Sequence, residues 1–348
     1  LQEKQKRTIT MNIYDYSPRK LRNYFEYIGE NPAKAMIIYD GIYRRGVRSF
    51  SEFNFAERIT ERLNADFNFA LPRIVEKREC EDAAKLLLEL SDGEFVETVL
   101  MRQRFGNCIC VSTQVGCNMG CKFCQSGLLK KRRSLTTAEI TGQALAISAV
   151  FDCRIDGVSV MGIGEPFDNF EAVADFCEII TEDKGLAVGR RHVTVSTCGV
   201  VPKIYEYAAL PRPCNLAISL HAPDDRLRNE LMPINKAYPI AEVMRAAEYF
   251  SDKTHRRVTL EYVMLEGIND TPTHAEQLAA LVGKRDFYIN LIPYNSTDSG
   301  YKKSSPETVS EFCAVLKENG VIATKRREFG ANLNAACGQL RADYMEEK

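Results

Sequence analysis

The sequence predicts an α/β fold, in which a partial (β/α)6 TIM-like barrel follows a small N-terminal helical accessory domain. Three observations indicate this fold. Apolar strands alternate with helices through most of the chain, which is typical of a parallel sheet covered by helices. The glycine fingerprint of a dinucleotide-binding sheet is absent from the sequence. A length of 348 residues is enough for one barrel and one accessory domain.

The N-terminal region reads as short polar helices joined by tight turns. Ser17-Pro18 is a helix-start signal, and Pro32 stands in the first turn of a second helix. We therefore expect a helical domain over 1–90 and a barrel domain over 91–348. The helices predicted in the first domain are 17–28, 31–43 and 51–63.

In the barrel domain, β-branched residues in alternation predict the strands, and apolar residues at helical spacing predict the helices. In a parallel barrel the functional groups lie at the carboxyl ends of the strands. The predicted strands are 94–101, 107–113, 157–161, 192–196, 215–220, 257–264, 287–292 and 321–326. The predicted helices are 136–150, 171–181, 240–250, 273–282 and 307–319, with a short one around Ile204.

Three cysteines follow the strand predicted over 107–113, namely Cys117, Cys121 and Cys124. Thiolates at this spacing can converge on one iron–sulfur cluster and leave its fourth iron without a protein ligand. An open iron is a Lewis-acidic site for a substrate. A structural zinc site would need a further ligand pair downstream, and none follows. We do not expect disulfides as structural links, because the sequence shows no signal peptide.

Small and polar residues follow several of the predicted strands. Glycine allows close backbone approach to a ligand, while glutamate, serine, histidine and asparagine provide hydrogen bonds. Because parallel strands end at the same edge of a sheet, we expect these residues to form a cofactor pocket. They are Gly164, Glu165, Ser196, Ser219, Leu220, His221 and Asn295.

Two further cysteines are candidates for chemistry. Cys110 lies on the strand that leads to the cysteine loop, so its side chain could reach the barrel mouth. Cys337 is flanked by small residues, and an accessible thiol favours reaction over packing. The alternative for each is a buried structural thiol. We interpret six other cysteines as small core residues: Cys80, Cys153, Cys177, Cys198, Cys214 and Cys313.

Basic residues are clustered, although the net charge is −1. Each cluster alone is more often a solvated face than a phosphate site, but together they suggest a surface for a polyanion. No apolar run approaches the ~18 residues that span a bilayer, so we expect no membrane association. The clusters lie within 1–22 and at 130–133, 190–191, 256–257, 302–303 and 325–327.

The motifs together resemble the RlmN/Cfr family of radical S-adenosylmethionine (SAM) adenosine methyltransferases. The likeness runs through nearly the whole barrel domain and is weak in the N-terminal helices. The matching segments are VETVLM at 96–101, CVSTQVGCNMGCKFC at 110–124, MGIGEPFDN at 161–169, STCG at 196–199, ISLHAP at 218–223, LMPIN at 231–235, NLIPYN at 290–295 and NAACGQL at 334–340.

The resemblance implies a barrel of the radical SAM type, with one 4Fe–4S cluster on the cysteine triplet and SAM bound by the strand-end residues. It implies that Cys337 carries the transferred carbon as S-methylcysteine and that two SAM molecules are used. Cys110 would resolve the intermediate through a transient disulfide with Cys337, and Glu97 matches the proton acceptor. Cys198 departs from the family, where serine is usual, and we expect it to face away from the site.

For the substrate, the resemblance implies methylation at carbon 2 of an adenosine in 23S rRNA, in the peptidyl-transferase centre, and of the tRNA adenosine beside the anticodon. It also implies a helix-hairpin-helix-like RNA-binding domain at the N-terminus, an external reducing system of the flavodoxin type, a cytoplasmic location and a monomer.

Several alternatives stay open at this point. A Cfr-type carbon-8 methyltransferase shares the cysteines and confers antibiotic resistance, but Pro166 stands where we expect alanine in that group. A radical SAM activase of a partner protein and a zinc-stabilised RNA-binding module are more distant alternatives. Glu97 could also be an ordinary residue of a surface strand.

Overall fold

A computed structural model describes residues 10–128, 130–295 and 300–330 of the chain. The strands are β1 (Met11–Asn12), β2 (Phe67–Asn68), β3 (Arg73–Glu79), β4 (Ala83–Glu89), β5 (Phe95–Gln103), β6 (Gly106–Cys110), β7 (Gln114–Val115), β8 (Arg133–Ser134), β9 (Gly157–Val160), β10 (Val193–Thr197), β11 (Asn215–Ser219), β12 (Val258–Met264), β13 (Phe287–Pro293) and β14 (Ile322–Lys325). The helices are α1 (Pro18–Tyr27), α2 (Lys34–Tyr39), α3 (Glu57–Asp66), α4 (Gln125–Leu128), α5 (Thr137–Phe151), α6 (Phe170–Ile180), α7 (Val201–Ala209), α8 (Asp225–Leu231), α9 (Ile240–Thr254), α10 (Pro272–Val282) and α11 (Pro306–Glu318).

A ten-stranded sheet organises the chain, in the order β14-β13-β12-β11-β10-β9-β6-β5-β4-β3. From β6 to β14 every neighbouring pair is parallel, and helices connect the strands. β5, β4 and β3 extend the sheet in antiparallel pairing beyond β6. The predicted partial barrel of alternating strands and helices is confirmed.

The two faces of the parallel strands differ in polarity. One face packs against the helices in the main apolar core, and the opposite face lines cavities inside the curved sheet. This alternation is the period of two that an extended strand imposes on its side chains. The helix-facing residues include Ile109, Val158, Val195, Ile218, Leu260 and Ile289, while the inward-facing ones include Cys110, Ser159, Ser196, Ser219, Glu261 and Asn290.

The predicted helical character of the first 90 residues is wrong for its last part. The N-terminal helices end at Asp66, and β3 and β4 then join the main sheet. The β4 segment, AAKLLLE, contains good helix formers, but its residues from Ala83 to Leu88 are buried in the sheet. Tertiary burial between β3 and β5 overrides the local preference.

The N-terminal helices share a hydrophobic cluster with the barrel. Aromatic residues such as Phe25 and Phe50 pack in the same cluster as Leu145 of α5 and Ile179 of α6. Asp15 also accepts a hydrogen bond of 2.7 Å from the backbone N–H of Ala138, in the first turn of α5. The N-terminal helices are therefore held against the barrel by both packing and capping.

None of the helices in the described residues is long and apolar enough to span a lipid bilayer.

We expect Ile179→Ala to lower the free energy of unfolding by about 2–4 kcal/mol, because it removes buried methyl groups where the barrel meets the N-terminal helices. Urea titration followed by circular dichroism measures this loss. Ile37→Ala is the matched control, since Ile37 is 48% exposed on α2 and should change stability by less than about 0.5 kcal/mol. Equal effects of the two substitutions would contradict the shared core.

Candidate active site

A cavity of about 260 Å³ lies at the carboxyl ends of the parallel strands. The cysteine loop forms one wall, and the ends of β9, β10, β11 and β12 form the others. Eight of the residues predicted to share one site line this cavity: Cys117, Cys121, Cys124, Gly164, Glu165, Ser196, Ser219 and His221.

The cysteine loop is fixed by its own backbone and by α8. Lys122 donates its backbone N–H to the carbonyl of Leu231 at 3.0 Å, and Cys124 donates to the carbonyl of Cys121 at 3.1 Å. Gly127 follows in close contact, because a Cβ there would lie 2.7 Å from the Cys121 carbonyl oxygen. The chain can thus fold back tightly enough to bring three thiols to one wall.

Two of the loop thiols, Cys117 and Cys121, are protonated in the metal-free chain. Burial raises the pKa of Cys117 to about 11 and raises that of Cys121 further, with the neighbouring thiols adding to the effect on Cys121. Thiolates are the metal-binding form, so a metal bound at these two residues would displace their protons.

The three thiols fit an iron–sulfur cluster, because they are soft ligands at the edge of an apolar cluster that includes Phe123, Leu231 and Met232. In the part of the chain that the structure describes, no group of three or more histidine, cysteine, aspartate or glutamate side chains is arranged to hold a single metal ion. Thiolates on a 4Fe–4S cluster bind different iron atoms, and so stand further apart than the ligands of one ion.

Glu165 connects two strand ends. Its Oε1 accepts a hydrogen bond from the Phe167 N–H at 3.0 Å, and its Oε2 accepts one from the Cys198 N–H at 2.8 Å. Burial raises the pKa of this carboxyl, and the Cys198 hydrogen bond acts against the rise. The preceding Gly164 has φ +110°, and a Cβ there would lie 2.6 Å from the Cβ of Gln114, so only glycine fits.

His221 presents a fixed N–H donor to the cavity. Its Nδ1 accepts a hydrogen bond of 3.0 Å from the Val263 N–H, which places the ring proton of the neutral imidazole on Nε2. Burial, followed by the Arg228 charge, lowers the pKa of His221 to about 3. The ring also packs edge-on against Phe123 with centroids 4.9 Å apart, which links this strand end to the cysteine loop.

Leu220 and Asn295 are not among the residues lining this first cavity. The Leu220 side chain belongs to the main hydrophobic core, so it can meet a ligand only through its backbone. Asn295 lines a second cavity of about 190 Å³, which also contains Cys110. Met161, Ile292 and Arg326 line both cavities, so the two spaces adjoin.

Cys110 is a half-buried residue whose thiol lies beside two cations. Burial raises its pKa, while a hydrogen bond from Ser159 and the charges of Arg326 and Lys85 act in the opposite direction. Lys85 and Arg326 both line the second cavity. These surroundings favour a thiolate more than an apolar pocket would.

Glu97 lies close to this second cavity. Its Oε2 is 3.5 Å from Nζ of Lys85, and both side chains are almost fully buried. Glu97 lies two residues before Val99 on β5, and Val99 pairs with Cys110 on β6, so Glu97 is close to Cys110. The alternative of a surface-strand residue is therefore wrong for Glu97.

One sequence prediction in this region is wrong, two residues were missed, and one prediction lies beyond the described chain. Cys198 lines the first cavity, whereas the prediction has it facing away. The inward-facing Glu261 and the buried Arg228 were missed, although a charge inside an apolar strand or on the apolar side of a helix is a usable signal. Cys337 lies outside the described residues.

Several of the predicted basic clusters contain residues that pair with acidic side chains, so clustering in sequence overstates the free positive charge of the surface. The ion pairs are Lys131–Asp168, Arg132–Glu94, Arg133–Glu139, Arg257–Asp286, Lys303–Glu328 and Arg327–Asp82.

A cysteine loop at the carboxyl end of an open parallel barrel defines a radical SAM enzyme, and the family model of the radical SAM superfamily matches residues 111–278. A relative from Enterococcus faecalis described as "Probable dual-specificity RNA methyltransferase RlmN" is 45% identical, over 97% of this chain and 98% of its own length. A relative from Listeria welshimeri with the same description is also 45% identical, over 96% of this chain and 94% of its own length. The chain belongs to the RlmN family.

A solved structure supports the same assignment. The crystal structure of a radical SAM methyltransferase from Sphaerobacter thermophilus superposes with a TM-score of 0.86 at 34% identity, over 94% of this chain and 98% of the other. The likeness therefore includes the N-terminal helices as well as the barrel.

The neutral state of His221 predicts a loss of stability in mild acid. Its pKa is about 3 in the folded chain against an ordinary value of 6.5, so only the unfolded chain takes up a proton between these values. Lowering the pH from 7.5 to 5 should therefore lower the free energy of unfolding by about 2 kcal/mol through this residue. Urea titrations of the metal-free chain at both pH values measure the change.

His221→Gln is the control, because glutamine can accept the Val263 hydrogen bond but does not titrate. The variant should lose about 2 kcal/mol less than the wild type on acidification. The same loss in both chains would show that His221 is not the buried neutral imidazole described above.

Proposed function

We propose that this chain methylates carbon 2 of adenosine in 23S rRNA, in the peptidyl-transferase centre, and in tRNA, beside the anticodon. The observation that carries the proposal is the pair of adjoining cavities, one with the three loop thiols and the other with Cys110. The relatives' description as dual-specificity RNA methyltransferases, at 45% identity over nearly the whole chain, supports an RNA substrate. Both RNAs occur in the cytoplasm, so we propose that the chain acts there.

Cys117, Cys121 and Cys124 would hold the 4Fe–4S cluster, which when reduced supplies the electron that cleaves SAM to a carbon radical. The strand-end residues provide the complementary groups for SAM. Glu165 is a buried acceptor for its ammonium group, and His221 is an N–H donor. The hydroxyl oxygens of Ser196 and Ser219 lie 3.4 Å apart on the same wall of the cavity. Both hydroxyls can form hydrogen bonds with polar groups of the nucleoside part of SAM.

The second cavity suits the release step. In the proposed cycle Cys337 carries the methyl carbon, which becomes bonded to the adenine ring. The adduct then loses its unpaired electron, for which the oxidised cluster would serve as the acceptor, and the ring proton, which Glu97, buried near Cys110, would accept. Cys110 attacks the Cys337 sulfur as a thiolate, so that an S–S bond forms, the S–C bond breaks, and its electron pair passes to the product carbon, which takes up a proton to become the methyl group. The disulfide is then reduced by an external donor, for which a flavodoxin-type system is our proposal.

Family membership favours RNA methylation over activation of a partner protein or zinc-stabilised RNA binding. Between the two RNA reactions, Pro166 favours carbon 2, because alanine is expected at this position in the carbon-8 group. Pro166 begins a short 3-10 turn, Pro166–Asn169, and the Glu165 side chain caps this turn. Methylation at carbon 8 remains a distinct outcome of the test below.

Anaerobic reconstitution with iron, sulfide, SAM and a reductant should give 2-methyladenosine in both 23S rRNA and tRNA. Nucleoside mass spectrometry against synthetic 2-methyl and 8-methyl standards measures the product. Cys337→Ala should abolish methylation while leaving the cluster absorbance intact. The 8-methyl product would overturn the regiochemistry, and methylation by the Cys337 variant would overturn the carrier role.

Cys110→Ala should trap the chain on RNA, because the covalent intermediate then has no thiol to resolve it. A protein–RNA crosslink on a denaturing gel, accumulating over a single turnover, measures the effect. Cys108→Ala is the matched control, since Cys108 lies two residues earlier on β6 and lines a different cavity. Multiple turnover by the Cys110 variant would exclude it as the resolving thiol.

A further inference from the structure

Arg228 is a fully buried guanidinium that holds two strand ends. Its Nη2 donates hydrogen bonds to the carbonyls of Cys198 at 2.6 Å and Ser219 at 3.2 Å, and its Nε donates to the Leu220 carbonyl at 3.1 Å. Its Nη1 donates to Oδ1 of Asn235 at 2.8 Å. These hydrogen bonds fix the turns that follow β10 and β11, next to the cavity-lining residues Ser196, Ser219 and His221.

The hydrogen-bond partners of Arg228 carry no charge. Within residues 10–128, 130–295 and 300–330, its hydrogen bonds all go to uncharged oxygen atoms. Asp225 on the same helix attracts Arg228 through space, but its Oδ1 accepts hydrogen bonds from Asn235 and the Ile240 N–H instead. A buried charge without a directly bonded counter-charge is costly, so such a residue favours an anion bound nearby.

The cysteine loop is where such an anion would bind. Leu231, one helical turn after Arg228, accepts the backbone hydrogen bond of Lys122 within the loop. Cys121 packs in the same cluster as Leu231 and Cys198, and both cysteines line the first cavity. Nη2 of Arg228 lies 2.6 Å from the carbonyl oxygen of Cys198, so the guanidinium directly contacts a residue that lines the same cavity as Cys121.

We propose that Arg228 is a positioning residue that acts as the counter-charge of the cluster and raises its reduction potential. On reduction, a cluster held by three thiolates gains one negative charge, and a fixed cation in a poorly solvated site stabilises the reduced form more than the oxidised form. Arg228 would thereby ease the one-electron transfer from the external reductant. The inference rests on the proposed function, because it requires the cluster on the loop.

The geometry also shows why lysine would be an incomplete replacement. A guanidinium presents five N–H donors in a planar fork, and here they reach the carbonyls of three residues on two strand ends. Lysine would keep the charge and lose most of these hydrogen bonds, whereas glutamine would keep some hydrogen bonds and lose the charge. The two substitutions separate the electrostatic role from the structural one.

The test is the midpoint potential of the reconstituted cluster, titrated anaerobically with dithionite and followed by electron paramagnetic resonance. Arg228→Gln and Arg228→Met should lower the equilibrium constant for one-electron reduction by about tenfold, which is about 59 mV. Arg228→Lys should keep the potential near that of the wild type. Arg285→Met is the matched control, because Arg285 also donates to a main-chain carbonyl, that of Leu281, but lines neither of the two cavities.

Each outcome decides the proposal. Equal potentials in the wild type and the two neutral variants would overturn it and leave Arg228 with a structural role alone. If the neutral variants retain no cluster, Arg228→Lys decides: retention with lysine supports the charge requirement, and loss with lysine overturns it. A wild-type chain that takes up no cluster at all would instead contradict the proposed function.

Discussion

The two peptide units that flank Cys198 are each held by one buried charged side chain, and the geometry of the site depends on this arrangement. Glu165, at the end of β9, accepts the Cys198 N–H, and Arg228, on α8, donates to the Cys198 carbonyl. A carboxylate and a guanidinium thus hold the same turn from opposite sides. Charge-assisted hydrogen bonds are the strong ones in a dry interior, so the turn after β10 has little freedom to move.

The sheet supplies the reason why these groups meet. Each parallel strand places apolar side chains against the helices and polar ones on the inner face, so burying the core necessarily lines the interior with hydrogen-bonding groups. Ser219, Glu261 and Asn290 are neighbours in adjacent strands, and Asn290 donates to Oε2 of Glu261 at 2.8 Å. The same alternation that stabilises the fold therefore builds a polar wall beside a site for a charged ligand.

The parts of the site that the sequence predicted are those that depend on local spacing or on strand ends. The cysteine triplet is a local pattern, and Glu165 and His221 follow predicted strands. The prediction for Cys198 is wrong, although this residue lies two positions after Ser196 and shares its face by strand alternation. The helical character expected up to residue 90 is wrong at β4, whose alanine and leucine residues favour a helix but are buried in the sheet. Arg228 was missed because its partners come from two other strand ends, and only folding brings them together.

The raised pKa values of Cys117 and Cys121 have a consequence for the chain in its metal-free form. Oxidants and electrophiles attack the thiolate, and burial keeps Cys117 and Cys121 in the protonated form at neutral pH. The newly folded chain is thus shielded from oxidation at two of the residues proposed to hold the cluster. Uptake of the proposed cluster would begin with the release of protons, so the same burial that protects these thiols would make cluster binding sensitive to acidity.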